Sequence, residues 1–446
     1  MIRALVADTA RDERCASIAW GVVRDGAIVD GESLDTVYRI ASMTKSFTSA
    51  AVLALRDEGV LALDVPVATY APELAAVRGP EGSAPVTLRR LMSMTSGLAT
   101  DDAWADRHLD ITAAEIDRIY AAGPAFACRP DERFEYSNLG FGMIGRVVQR
   151  LTGRPVQQHI SERFLQPLGL HDTTWVMPAH DRWARPFRVE DGALVPDLPA
   201  PLGDGEISPM GGLWSTVADL AKWVTWLDAA NRPGADDSLL LSSASRREMQ
   251  RINTYIGIAE MAGHASPAGY GYGLNLRDDA TLGMVVAHSG GLPGYGSNMR
   301  WIAGRGISAI ALSNTTYAPM SELTLKMLHV LHAQGDVPAA SPPAAPLLHV
   351  AAERLVALIN AWDDTVAATL FADNVSLDES FARRAAGAAR LLDVHGPLTL
   401  HAVQPDRATS GVISVIGATS GTTLHIELQL SPEAAAGVQW YEVQPA

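Results

Sequence analysis

The chemistry this chain could do begins with Ser42 and Lys45, a serine and a lysine three residues apart. A serine hydroxyl attacks a carbonyl only after a base takes its proton. A lysine serves as that base when burial lowers its pKa enough to leave it neutral. Two further stretches carry groups of the right type. Tyr136-Ser137-Asn138 offers a phenol and an amide, and His288-Ser289-Gly290-Gly291 offers an imidazole beside two residues that lack side chains. The chain has three lysines, Lys45, Lys222 and Lys326, and only the first follows a serine at this spacing.

These groups can act together only if the elements around them bring them together. The run from Ser42 to Gly59 reads as a helix, rich in Ala, Ser and Leu and stopped by Gly. Positions i and i+3 share a helix face, so Ser42 and Lys45 meet on its first turn. Tyr136 to Asn138 opens a second helix, Leu139–Leu151, closed by Gly153. His288 ends a strand. Residues 16–23 and 27–29 read as a hairpin around Asp25-Gly26, and 281–287, 297–302 and 306–312 as three strands with Gly-rich turns. Between these ends the pattern is mostly helical: 86–94 opened by Thr87, 112–121, 155–165, and 217–227 capped by Ser215. Another helix spans 320–331. The expected fold class is α+β: an antiparallel sheet built from both ends, with helices against it and a helical subdomain beside it.

Ser42-Met43-Thr44-Lys45, Tyr136-Ser137-Asn138 and His288-Ser289-Gly290-Gly291 stand in the order of the three active-site motifs of the serine β-lactamase and penicillin-binding protein superfamily. Over roughly residues 10–335 the chain resembles the branch that includes class C β-lactamases, esterases and D-aminopeptidases. Ser93 to Leu98, Gly211 to Thr216 and Gly290 to Tyr295 add to the likeness. The resemblance implies a β-lactamase-like fold with Ser42 as the acylated nucleophile and Lys45 and Tyr136 sharing general-base work. It implies that Asn138 bonds Lys45 and an amide of the acyl chain. The N–H groups of Ser42 and Gly291 would form the oxyanion hole, each donor worth a few kcal/mol. Gly290 and Gly291 would let substrate approach the strand edge, and Trp214 and Tyr295 are candidates for the pocket rim, with core packing as the alternative. His288 stands where many relatives carry lysine, and an imidazole is a weaker anchor for a carboxylate at neutral pH. That departure turns the expectation from β-lactams to small esters or D-amino-acid amides and peptides. Acyl transfer to an amine, with release or cyclisation of peptides, and a sensor that is acylated without turnover are the alternatives.

The rest of the chain bounds this reading. At 446 residues it can hold one large domain and a smaller one. A net charge of −15 lacks the basic surface that nucleic acid or anionic membrane requires. No apolar run approaches the roughly 20 residues of a membrane span, and the first residues lack a secretion signal, so the expectation is a cytoplasmic protein with a small-molecule or short-peptide substrate. Cys15 and Cys128 read as free core thiols. No metal-ligand spacing, Gly-x-Ser-x-Gly elbow or phosphate loop is present, and no cofactor is expected. A Pro/Ala linker at 336–346 separates the domain of residues 1–335 from an accessory α+β domain, 347–446. There two helices precede four alternating strands, as in a cone-shaped NTF2-like fold or a small β-barrel. The long irregular span 171–214 is the expected source of pocket walls. Oligomeric state leaves no trace in the sequence.

Overall fold

Strands from both ends of the first unit meet in one antiparallel sheet. In the computed structural model, which describes every residue except 198–202, 233, 235–238, 340–344 and 446, the chain divides into two units, Met1–Ala339 and Ala340–Ala446. The large sheet has eight strands: β1 (Ile18–Arg24), β2 (Ala27–Glu32), β3 (Thr254–Met261), β4 (His264–Tyr270), β5 (Asn275–Asp279), β6 (Gly283–Leu292), β7 (Tyr295–Ile302) and β8 (Ile307–Ser313). Their order is β2-β1-β8-β7-β6-β5-β4-β3, so β1 from the N-terminal end pairs with β8. The α+β, β-lactamase-like architecture expected from the sequence is the one observed.

The central strands are covered on both faces, which explains their near-continuous apolar runs. On one face Trp20, Val22, Ala309 and Ala311 pack against α1 (Ile2–Asp12) and α5 (Met320–Ala333). On the other, Ala19, Val23, Ile310 and Leu312 join the main core with α2 (Thr44–Asp57), α3 (Asn138–Thr152) and α4 (Val217–Ala229). The expected apolar face of α4 (Leu220, Trp223, Val224, Leu227) is fully buried, each side chain contributing about 1.5–3 kcal/mol. Trp223 stacks on Phe47 at 3.9 Å and donates to Ser46 Oγ at 3.0 Å, which fixes α2 against α4. The α4 cap is Thr216, which accepts from the Asp219 N–H, one residue beyond the Ser215 expected.

Three segments depart from expectation. Residues 254–270, which fall in the stretch read as mostly helical, form β3 and β4, and β5 joins them to the strands that follow. Gly257 and Pro267 interrupt their pattern, and β3 is an edge strand with Tyr255, Ile256 and Ile258 exposed. N-terminal residues 2–12 form a helix. Within the span read as irregular, Phe187–Glu190 pairs with Ala193–Pro196. Asp191 and Gly192, both at positive φ, make the tight turn, the same Asp-Gly device that joins β1 to β2.

In the second unit α6 (Pro346–Asn360), two short helices and α7 (Phe381–His395) precede four strands in meander order, β9 (Leu398–Arg407), β10 (Ser410–Gly417), β11 (Thr423–Leu430) and β12 (Val438–Pro445). Leu348, Leu355 and Ile359 of α6 pack against Ile413, Val415 and Ile426. β9 and β12 are edges, so the sheet is open and the small-barrel alternative does not form. Residues 340–344 of the expected linker lie outside the described residues. Both cysteines are free and buried.

Candidate active site

Ser42 sits in a single 3-10 turn, Ala41–Met43, that runs into α2. Met43 N–H bonds Ile40 O. The Ser42 N–H, one position earlier, is therefore a first-turn donor with no intrahelical acceptor. Ala41, just before Ser42, holds a left-handed φ of 47°. For a residue with a Cβ that conformation costs about 1–2 kcal/mol, and it persists because β6 and β7 pack around the turn. Gly290 makes that packing possible. A Cβ there would lie 2.1 Å from Ile40 O and 2.3 Å from Ser297 Oγ. Gly290 is buried, so it admits the Ile40–Ala41 backbone to the strand rather than the substrate expected from the sequence.

Ser42 is partly exposed, whereas Lys45 is fully buried. Lys45 Nζ lies 2.9 Å from Ser42 Oγ, 2.7 Å from Asn138 Oδ1 and 2.8 Å from Met210 O. Burial lowers its pKa to about 7, against the opposing pull of Asp102, Asp106 and Asp101. The amide and carbonyl oxygens can only accept. A neutral Lys45 thus turns its two N–H bonds to Asn138 and Met210 and its lone pair to Ser42, the geometry of a general base.

Asn138 is held from two sides. Its Nδ2 donates to Asp102 Oδ1 at 2.7 Å, which fixes which end of the amide faces Lys45. Asp101 receives the Asn138 and Leu139 N–H groups at 2.7 and 2.8 Å, beside the Ser137 hydroxyl cap on Gly140, and so secures the first turn of α3. Asn138 has no exposed surface, so the contact to an acyl-chain amide expected of it is not offered.

Tyr136 hydrogen-bonds Ser42, and its ring lies 4.8 Å from Lys45 Nζ. Burial and the negative charges of Asp102, Asp106 and Asp101 hold its pKa well above the ordinary tyrosine value. Its hydroxyl therefore stays in the neutral form, and of the two expected bases Lys45 has the pKa nearer neutrality.

His288 is buried across from Lys45. Its Nδ1 is 2.6 Å from Ser289 O, a carbonyl that only accepts, so Nδ1 carries the proton. Nε2 then accepts from the Tyr270 hydroxyl at 2.9 Å. Burial, with Lys45 nearby, lowers the His288 pKa to about 3. The imidazole is therefore neutral across the physiological range. Gly291 is partly exposed on the same strand.

Trp214 and Tyr295 do not form a rim. Both are buried in one edge-to-face aromatic group with Trp183. Trp214 lies under the Arg39 guanidinium at 4.6 Å, and Tyr295 OH donates to Ala184 O at 2.9 Å. The short pairing of Tyr38–Arg39 with Trp214–Ser215 draws them inward. Sequence reading missed the Met210 carbonyl, Asp101, Asp102 and Tyr270. Of these only the Asp101-Asp102 pair carries a local signal, as an acidic pair available to cap a helix. Among the described residues no group of three or more His, Cys, Asp or Glu side chains is arranged to hold a metal ion.

The sequence matches a described family. The beta-lactamase family pattern spans residues 2–334. The chain belongs to the beta-lactamase family. It is thus a member of a superfamily of serine hydrolases. Esterase EstB of Burkholderia gladioli is 30% identical over 341 residues, covering 67% of this chain and 83% of that protein. Penicillin-binding protein 4 of Amycolatopsis lactamdurans is 31% identical over 343 residues, covering 74% and 86%. Among solved structures, the octameric penicillin-binding protein homologue from Pyrococcus abyssi aligns over 100% of this chain and 95% of its own, with a TM-score of 0.65 at 21% identity, a likeness of fold. No helix among the described residues of this beta-lactamase-family chain is long and apolar enough to cross a membrane.

Proposed function

We propose that this protein hydrolyses small esters that lack a carboxylate next to the scissile bond, with D-amino-acid amides as the next class, through an acyl-enzyme on Ser42. Neutral Lys45 takes the Ser42 proton as Oγ attacks the carbonyl. The N–H groups of Ser42 and Gly291 receive the oxyanion. Collapse breaks the ester bond, and the proton returns from Lys45 through the Tyr136 hydroxyl to the departing oxygen. Water, deprotonated by Lys45, then attacks the acyl-enzyme, and the acid leaves as Ser42 regains its proton.

The observation that carries this reading is Lys45, buried, with two obligate acceptors and the Ser42 hydroxyl as its hydrogen-bond partners among the described residues. The substrate class rests on His288. With its imidazole neutral, a carboxylate on the substrate meets no fixed cation there. The similarity to an esterase supports the same class.

The test is a panel of p-nitrophenyl acetate, D- and L-aminoacyl p-nitroanilides and nitrocefin, each read against Ser42→Ala. Steady ester turnover that Ser42→Ala abolishes is the expected result. A single stoichiometric burst without turnover would make the protein a sensor instead, and rapid nitrocefin hydrolysis would overturn the argument from His288.

A further inference from the structure

The loop between β8 and α5 carries a tyrosine that no step above uses. Tyr317 is 53% exposed, yet its hydroxyl donates to Asp106 Oδ2 at 2.9 Å, and Asp106 is 6% exposed. Its ring stands against Gly291. A Cβ built on Gly291 would lie 2.6 Å from Tyr317 Cδ1 and 3.2 Å from Cε1. Asp106 follows the short helix Asp102–Ala105, which carries the carboxylate that orients Asn138. The Tyr317–Asp106 bond therefore links the Gly291 strand edge to the helical side of the site.

The backbone of Tyr317 is held in place. Its φ is 52°, a left-handed conformation that costs a non-glycine residue about 1–2 kcal/mol. The two residues before it are pinned. Thr316 Oγ1 donates to Asp197 Oδ2 at 2.7 Å and accepts from Gly294 N at 2.7 Å, and its N–H reaches Phe187 O at 2.9 Å. Thr315 Oγ1 accepts from Ala16 N at 2.8 Å, and Tyr317 N–H bonds Tyr295 O at 3.1 Å. These contacts hold the backbone in a strained conformation and keep the ring in one place beside Gly291. Ala41 beside the nucleophile is held the same way.

The direction of the reaction decides what the ring meets. The departing oxygen must lie on the Tyr136 and Lys45 side, where its proton comes from. The acyl chain then runs the other way, past Gly291. We infer that Tyr317, tethered by Asp106, is the wall that limits the length of the acyl group Ser42 accepts. This rests on the esterase reading of the site and adds its selectivity for short acyl chains. A wall of ring size stops an extended chain because atoms cannot overlap, whereas a short acetyl or propionyl group ends before it.

The experiment keeps the leaving group constant. kcat/KM is measured for p-nitrophenyl acetate, butyrate and octanoate with the full-length wild type, Tyr317→Ala and Tyr317→Phe, with active sites counted by a fluorophosphonate that labels Ser42. The wild type is expected to fall in kcat/KM from acetate to octanoate. In Tyr317→Ala the octanoate-to-acetate ratio should rise at least tenfold. Tyr317→Phe keeps the ring and loses only its tether, so its ratio should lie nearer the wild type. An unchanged ratio in labelled, folded Tyr317→Ala overturns the inference and leaves the esterase reading standing. If Tyr317→Ala does not fold, a Tyr317→Phe ratio equal to or below the wild type overturns the tether, and a raised ratio supports it. No turnover of any ester by the wild type overturns both.

Discussion

Lys45 and His288 are two buried basic groups on facing elements of one site, and burial lowers the pKa of both. The outcomes differ because of where each starts and what surrounds it. Lys45 begins high, is held up by Asp102, Asp106 and Asp101, and stops at about 7, within reach of both protonation states. His288 begins in the middle of the range, is held up only by its bond to a backbone carbonyl, and ends at about 3, in one state throughout. The same desolvation thus leaves one group able to change its protonation state near neutral pH and the other a neutral hydrogen-bonding post. A perturbed pKa marks a catalytic group only where it lands near the working pH.

Removing each group in turn should separate the two most sharply. Lys45→Met deletes the base that faces Ser42, and kcat/KM for p-nitrophenyl acetate should fall by about 10²–10⁴-fold, the usual contribution of a positioned general base. His288→Asn should cost far less. Circular dichroism of both variants checks that the fold persists. An equal loss in both would show that His288 takes part in proton transfer.

How much of this could be read without coordinates follows from the kind of signal each residue leaves. Ser42 with Lys45, Tyr136 with Asn138, and His288 with the glycines sit at the starts or ends of elements, in short motifs where type and spacing survive as text. Helix boundaries were legible for the same reason: Gly153 at φ 70° ends α3 where a glycine was expected to. The partners that tune these residues are different. Met210 contributes a carbonyl, which every residue has. Tyr270 reaches His288 across β5, and that neighbour relation depends on the order of strands β3 to β5, whose interrupted pattern hid them. Trp214 and Tyr295 looked like rim residues because they flank motifs, but the Arg39–Trp214 pairing that buries them joins positions far apart in the chain. Local chemistry is legible, and long-range contact is not.

The pH profile sharpens the contrast further. Only neutral Lys45 can accept the Ser42 proton. kcat/KM should therefore drop about tenfold per unit of pH below a limb at about 7 and level off above it. The Tyr136 hydroxyl, held protonated by burial and three carboxylates, adds no fall until strongly alkaline pH. His288 is already neutral across this range, so His288→Asn should leave the limb in place. A limb that vanishes in His288→Asn would assign it to the imidazole.

The smallest expected effect belongs to Tyr270. Among the described residues its hydroxyl is the one side-chain donor to His288 Nε2, at 2.9 Å, and both groups are buried. Tyr270→Phe keeps the ring against Phe134 and Tyr136 but leaves the imidazole nitrogen without a donor. An unsatisfied buried acceptor costs about 1–3 kcal/mol. The midpoint of urea unfolding should shift down accordingly with an unchanged slope. Because His288 stays neutral and Lys45 keeps all three contacts, kcat/KM should fall by less than about tenfold, with the acid limb in the same place. A loss as deep as that of Lys45→Met would put Tyr270 and His288 on the proton path, and the fixed post would have to be redrawn as a second acid.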